Sequence, residues 1–366
     1  MRKPERNLPI SLYFTPEWWD RHFHALRPRP ERAAQAALEG IYLDRQRFLF
    51  EQFGDDGMGA QAPQPGPGQI ATVIRYGFDL IPALLGTRLD FAGAWGFYPQ
   101  FRPLDVCGGL RPVDIAAHLE GEWILREKER LTSLYGGCSH CIDIGSVTNN
   151  TFRILGQDVY TELLADPERL GALFEVILET MECLYVFLVR HFGAMDPVPI
   201  SNCNVSLMGP RTYAEHVLAF DARQARFAER LSGVPPRAAV HHCDVSADPF
   251  LDVYAQLPGV ASLQASYMSD VAAAKTRLPG SQFSALVSPS SLNGDLDGLG
   301  KALDLALAGG ADDFAVWNVD ADTTPERLRA IFAALNDAAR TAGRTPCFSA
   351  MPLCWEELEW AHGRYQ

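Results

Sequence analysis

The sequence lacks the features that mark a membrane-spanning, secreted or nucleic-acid-binding chain. No segment approaches about 18 uninterrupted apolar residues, so no membrane span is expected. Basic residues are outnumbered, 32 Lys and Arg against 45 Asp and Glu, for a formal net charge of −13. A balance of that sign offers no basic face to neutralise phosphates and no attraction to anionic lipid, so neither nucleic acid nor membrane is an expected partner. Cysteine is sparse, at 8 in 366 residues, and the charged opening Met1–Asn7 is followed by no signal-type apolar stretch. The thiols are therefore expected to be reduced, and the chain cytoplasmic, with no disulfide framework. Repeats of about 20–50 residues and sustained heptads are absent, which excludes a solenoid or a long coiled coil. No Gly-rich phosphate loop follows an early strand, which argues against a dinucleotide-binding fold.

What is present is ordinary globular composition, 47% hydrophobic and 21% charged. One low-complexity stretch, GAQAPQPGPGQ at residues 59–69, alternates Pro63, Pro65 and Pro67 with Gln and Gly and can form neither helix nor strand. The preceding segment Pro30–Phe53 has helical spacing, so residues 1–69 read as an N-terminal helical extension ending in a Pro/Gly-rich loop. From residue 70 to 366, strand-like and helix-like stretches alternate. Candidate strands are Ile70–Arg75, Cys141–Val147, Val198–Val205, Ala238–Cys243, Val260–Ser266, Phe283–Ser288, Asp313–Asn318 and Pro346–Ala350. Helical patterns between them include Pro167–Phe192, Thr212–Leu231, Asp297–Ala308 and Pro325–Ala342. That rhythm implies a parallel α/β sheet, and the number of strands favours closure into a (β/α)8 TIM-type barrel forming the catalytic domain.

The sharpest chemical feature is the strand end His241-His242-Cys243-Asp244. Polar residues at the C-terminal ends of barrel strands line the active site. Side chains alternate along a strand, so His241 and Cys243 point one way and His242 the other. An imidazole and a thiolate converging on a point make half of a tetrahedral zinc site. The same residues also describe a hydrogen-bonded core histidine beside a small buried cysteine, and two ligands alone do not fix a metal. Cys138-Ser139-His140-Cys141 has C-x-x-C spacing, but it is a single knuckle at the wrong end of its strand and reads as coincidence. Amides recur at the other strand ends, in Asn149, Asn150, Asn202, Asn204, Gln264 and Asn318, and are the candidate substrate-binding residues. Cys203, between two of them, offers a further thiolate.

The order of several motifs resembles the uroporphyrinogen decarboxylase superfamily, which includes zinc-dependent methyltransferases acting with corrinoid proteins and thiols. The motifs are Gly156-Gln157-Asp158-Val159-Tyr160, Leu164-Ala165-Asp166-Pro167-Glu168, Met208-Gly209-Pro210-Arg211-Thr212-Tyr213, His241-His242-Cys243-Asp244 and the run Trp317 to Glu326. The resemblance extends over about Ile70 to Leu335 and is closer to the methyltransferase branch. It implies zinc on His241 and Cys243, a small thiol substrate whose pKa the zinc lowers, and a methyl donor such as a corrinoid protein. The pattern departs where the methyltransferases supply a later cysteine. Asp320 is the nearest replacement here and Cys347 a more distant one, so both join His241 and Cys243 as candidate ligands. The strand after His-x-Cys carries Gln264 rather than a carboxylate, and the Arg-rich motif of the tetrapyrrole decarboxylases is missing, so uroporphyrinogen is not the expected substrate. Two alternatives stand beside this reading. One is a metal-free decarboxylase or lyase on a small acid, with His241 or His242 as the catalytic acid and Asp244 orienting it. The other is a non-catalytic binding protein on the same barrel.

Overall fold

The computed structural model describes residues 6–23, 35–63, 71–72, 79–91, 97–140, 144–193, 195–243, 246–287 and 294–350. Its strands are β1 (Arg6–Phe14), β2 (Ala71–Thr72), β3 (Leu89–Phe91), β4 (Phe97–Pro99), β5 (Ser139–His140), β6 (Val198–Ser201), β7 (Ala238–His242), β8 (Val260–Ser266), β9 (Gln282–Val287), β10 (Asp313–Val319) and β11 (Arg344–Ala350). Seven of them form one sheet in the order β11-β1-β10-β9-β8-β7-β6, with every pairing parallel. β2 pairs parallel with β5, and β3 antiparallel with β4. Among the described residues the seven-stranded sheet is open, with β6 and β11 at its edges.

Period-two alternation gives the strands of the large sheet a buried apolar face. Leu8, Ile10 and Leu12 of β1, Val198 and Ile200 of β6, Val240 of β7, Leu263 of β8 and Phe314 and Val316 of β10 are essentially inaccessible. Helices cover that face. The longest, Pro167–Phe192, begins where the Asp166 carboxylate accepts from the Arg169 amide and Pro167 occupies the first turn, and it stops at Gly193, whose φ is +97°. The helix Pro325–Thr341 starts at a Thr324 cap and buries Leu328, Ile331, Phe332 and Leu335, with Phe332 4.7 Å from the ring of Phe348 on β11. Each such side chain contributes about 1.5–3 kcal/mol of burial. The opposite face of the sheet carries small and polar residues instead, among them Ser11, Ala239, Ser262, Gln264, Ser284 and Asp313.

Three expectations change. Residues 6–14 do not belong to a helical extension; β1 sits between β10 and β11, its buried alternation Leu8, Ile10, Leu12, Phe14 outweighing the internal Pro9. Val147 does not close a strand. Ser146 accepts from the Asn149 amide as an N-cap and starts the helix Val147–Leu155, while residues 141–143 lie outside the described set. Thr212–Leu231 is broken into Gly209–His216, Leu218–Ala225 and Phe227–Ser232, bending at Val217 and Arg226. The expected helix Pro30–Phe53 is described as Gln35–Phe53, and most of the Pro/Gly-rich loop lies outside the described residues. Among the described residues no helix is long and apolar enough to cross a membrane.

Candidate metal centre

β6 and β7 run side by side with Ser201 opposite His241. Two residues further along each strand end stand Cys203 and Cys243. The parallel register therefore brings two thiols and one imidazole to one spot, and ligand atoms of Cys203, His241 and Cys243 all lie within 4.8 Å of one another. His241 Nε2 is 2.9 Å from Cys243 Sγ. Its other nitrogen, Nδ1, is 2.6 Å from Oε1 of Gln264 on β8. That amide oxygen can only accept, so Nδ1 carries a hydrogen, and Nε2 is the nitrogen that faces the sulfurs.

The electrostatics favour a thiolate. A hydrogen bond from Cys243 is the largest influence holding the Cys203 thiol well below the ordinary range; it acts against burial, and His241 and Asn149 add to it. Asn149 in turn accepts from Asn204 Nδ2 at 3.2 Å through its Oδ1. The wall beside this group is aromatic. Trp317 of β10 packs 5.9 Å from the His241 ring, and Tyr13 of β1 stacks on Trp317 at 5.1 Å.

A second polar cluster lies behind β7, on the helix-facing side. His242 is 1% exposed, with Nδ1 2.8 Å from the Tyr254 hydroxyl. Burial lowers its pKa to about 4, with His241 adding to the effect. Beside it, Asp221 accepts from the Tyr213 hydroxyl at 2.6 Å and from Asn202 Nδ2 at 2.8 Å. Complete burial raises the Asp221 carboxyl to about 6, against these two hydrogen bonds. The cluster anchors the end of β6, one residue before Cys203.

The candidate residues therefore divide. His241, Cys243, Gln264, Asn149 and Asn204 belong to the centre or its immediate surroundings. His242 faces the packed helices, because strand alternation turns it away from His241 and Cys243. Asn202 is 1% exposed and committed to Asp221, and Asn150 is 2% exposed and donates to the carbonyls of Ile144 and Ser146. Both amides are thereby engaged in holding the chain around the strand ends. Asp320 Oδ1 accepts from the amides of Asp322 and Thr323 and from the Thr323 hydroxyl, closing the turn before the next helix. Cys347 is exposed on β11, opposite Pro9. Neither joins the group; the third donor is Cys203. Asp244, Cys141 and the side chain of Asn318 lie outside the described residues. The signal for Cys203 was its position two residues past the strand β6, the same offset as Cys243 from His241, and only the strand register makes that coincidence visible.

No protein-family model matches the sequence, and comparison with curated proteins gives no match. Among solved structures, the chain is similar to a methyltransferase from Methanosarcina mazei, with a TM-score of 0.58 and 17% identity over 92% of this chain and 95% of that one. At this identity the likeness is one of fold: an α/β architecture on a parallel sheet, shared with a methyltransferase over nearly the whole length of both chains.

Proposed function

We propose that this protein is a zinc-dependent methyl or alkyl transferase of the uroporphyrinogen decarboxylase superfamily, with Cys203, His241 and Cys243 as the metal ligands. The observation that carries the reading is the convergence of the three donor atoms within 4.8 Å at two neighbouring strand ends. The donor set fits zinc, since two soft sulfurs and an imidazole nitrogen select it over hard cations, and three protein ligands leave a fourth position open for substrate. Zinc bound there supplies a Lewis acid that lowers the pKa of a coordinated thiol.

The chain's own groups then have definite tasks. Cys203 and Cys243 present their sulfurs at neighbouring strand ends, and Gln264 keeps the His241 proton on Nδ1. Asn149, bonded to both Cys203 and Asn204, steadies the first sulfur. Trp317 and Tyr13 pack along one side of the centre. The substrate is a small thiol, and the methyl donor is a corrinoid carried by a partner protein.

The sheet itself is read as part of a closed (β/α)8-type barrel. The Ser146 hydroxyl donates to the Ser201 carbonyl, and Gln224 Nε2 bridges the carbonyls of Gly145 and Pro199. These bonds support the chain after β5 running beside the open edge at β6. The test is methyl transfer from a methylated corrinoid to a small thiol, followed by the cobalt–methyl absorbance. Wild type should turn over, and the Cys203→Ala, Cys243→Ala double variant should not. A double variant as active as wild type would sink the proposal.

A further inference from the structure

A line of side chains crosses the polar face of the sheet from the centre to a carboxylate three strands away. His241 on β7 stands opposite Gln264 on β8, Gln264 opposite Ser284 on β9, and Ser284 opposite Asp313 on β10. Each pair is hydrogen-bonded. His241 Nδ1 meets Gln264 Oε1 at 2.6 Å, Gln264 Nε2 donates to Ser284 Oγ at 3.3 Å, and Ser284 Oγ donates to Asp313 Oδ1.

The polarity of this line is decided at its far end. An ionised carboxylate only accepts, so the Ser284 hydroxyl must give its single hydrogen to Asp313. The remaining Ser284 lone pairs can only accept, which draws the amide nitrogen of Gln264 towards β9. Gln264 Oε1 is thereby turned towards β7, and His241 must present Nδ1–H to it. If the amide were reversed, its nitrogen would face His241 and demand a lone pair on Nδ1, leaving the hydrogen on Nε2. In that tautomer Nε2 could not serve as a ligand.

We infer that Asp313, acting through Ser284 and Gln264, fixes His241 as the Nδ1–H tautomer and so presents the Nε2 lone pair to the two cysteines. Asp313, Ser284 and Gln264 are positioning residues; none of them is among the ligand atoms that converge at the centre. The inference deepens the metal reading above, and its first readout does not depend on metal.

Two-bond 1H–15N spectra of the histidine rings in the full-length, 15N-labelled protein report the tautomer directly. They are recorded without metal in a Cys203→Ser, Cys243→Ser background, where no thiolate can hold His241 as imidazolium, at a pH above the ring's titration. The expected pattern is Nδ1–H for His241, identified by its loss in His241→Ala. Adding Ser284→Ala should convert it wholly or partly to Nε2–H, and Ser284→Thr, which keeps the hydroxyl, should leave it unchanged. With both cysteines present, Ser284→Ala should weaken zinc binding roughly ten- to hundredfold by chelator competition, the range for a lost partner of a ligating histidine, and Ser284→Thr should restore it. His241 found as Nε2–H in the starting protein overturns the inference. So does a tautomer, or a zinc affinity, indifferent to Ser284→Ala. If the unsubstituted protein binds no zinc while the tautomer still follows Ser284, the metal reading fails and the fixed tautomer stands.

Discussion

The two titratable groups buried behind β7 should pull stability in opposite directions with pH, and separating them tests the packing of that cluster. The Asp221 carboxyl titrates at about 6 in the folded protein, against an ordinary 3.8. Between those values the unfolded chain has already lost the proton that the folded chain keeps, so stability falls as pH rises. At about 1.4 kcal/mol per pH unit the full cost is roughly 3 kcal/mol, complete above pH 6. His242 titrates at about 4 when folded, against 6.5. Below 6.5 the unfolded chain gains a proton that the folded chain refuses, so this contribution is present above 6.5 and lost as pH falls to about 4. Its size is also roughly 3 kcal/mol. In wild type the two slopes nearly cancel from pH 4 to 6. Asp221→Asn keeps an acceptor for Tyr213 and removes the charge. Its stability should match wild type near pH 4 and exceed it by roughly 3 kcal/mol at pH 7. His242→Gln should show the reverse trend, standing better relative to wild type at pH 4 than at pH 7. Urea midpoints followed by tryptophan fluorescence at pH 4, 5, 6 and 7 give the differences. A flat difference between Asp221→Asn and wild type over that range would refute the argument, since a carboxyl exposed enough to titrate normally leaves no slope to remove.

Two further substitutions probe how the scaffold is held. Gly259 has φ +64°, and a β-carbon there would lie 1.8 Å from the Pro236 carbonyl oxygen, so Gly259→Ala should lower the melting temperature by an amount corresponding to more than about 2 kcal/mol. Gly233→Ala, at φ +69° with open space around it, should cost only about 1–2 kcal/mol, and equal losses at the two sites would contradict the steric account. Arg153, on the helix Val147–Leu155, is bonded through two nitrogens to Asp79, which is 1% exposed. Arg153→Met leaves that carboxylate buried and alone and should cost about 3–5 kcal/mol in denaturant titrations, most of it recovered when Asp79→Leu is added; a loss that persists in the double variant would place the effect in packing instead.

The parallel α/β character of the fold was legible because buried strands read as apolar runs between helical patterns, as in Val260–Ser266 and Pro167–Phe192, whose bounds the structure repeats. β1 was hidden by Pro9 and by its distance in sequence from β10 and β11; its alternation was present, but its partners lie some three hundred residues away. His241 and Cys243 were legible because two-residue spacing on one strand is a local fact. Cys203 was visible only as one of several polar strand-end residues, since its pairing with Cys243 depends on the register of Ser201 against His241. Asp320 and Cys347 were drawn in by a sequence pattern, and local turn chemistry at Asp320 and an exposed strand position at Cys347 keep them elsewhere. Asn202 and Asn150 illustrate the remaining difficulty. A strand-end amide that contacts substrate and one that satisfies a buried carboxylate or carbonyl look the same until the helices are in place.

The central claim is that Cys203, His241 and Cys243 bind one zinc ion. Its most direct test is elemental analysis of the full-length protein after dialysis, combined with zinc-edge X-ray absorption. The account predicts about one zinc per chain with two sulfurs and one nitrogen from the protein in its first coordination shell, lost in Cys203→Ala and retained in Cys347→Ser and Asp320→Asn. Protein that holds no zinc when supplied with it, or zinc that survives Cys203→Ala and disappears in Cys347→Ser or Asp320→Asn, would contradict it.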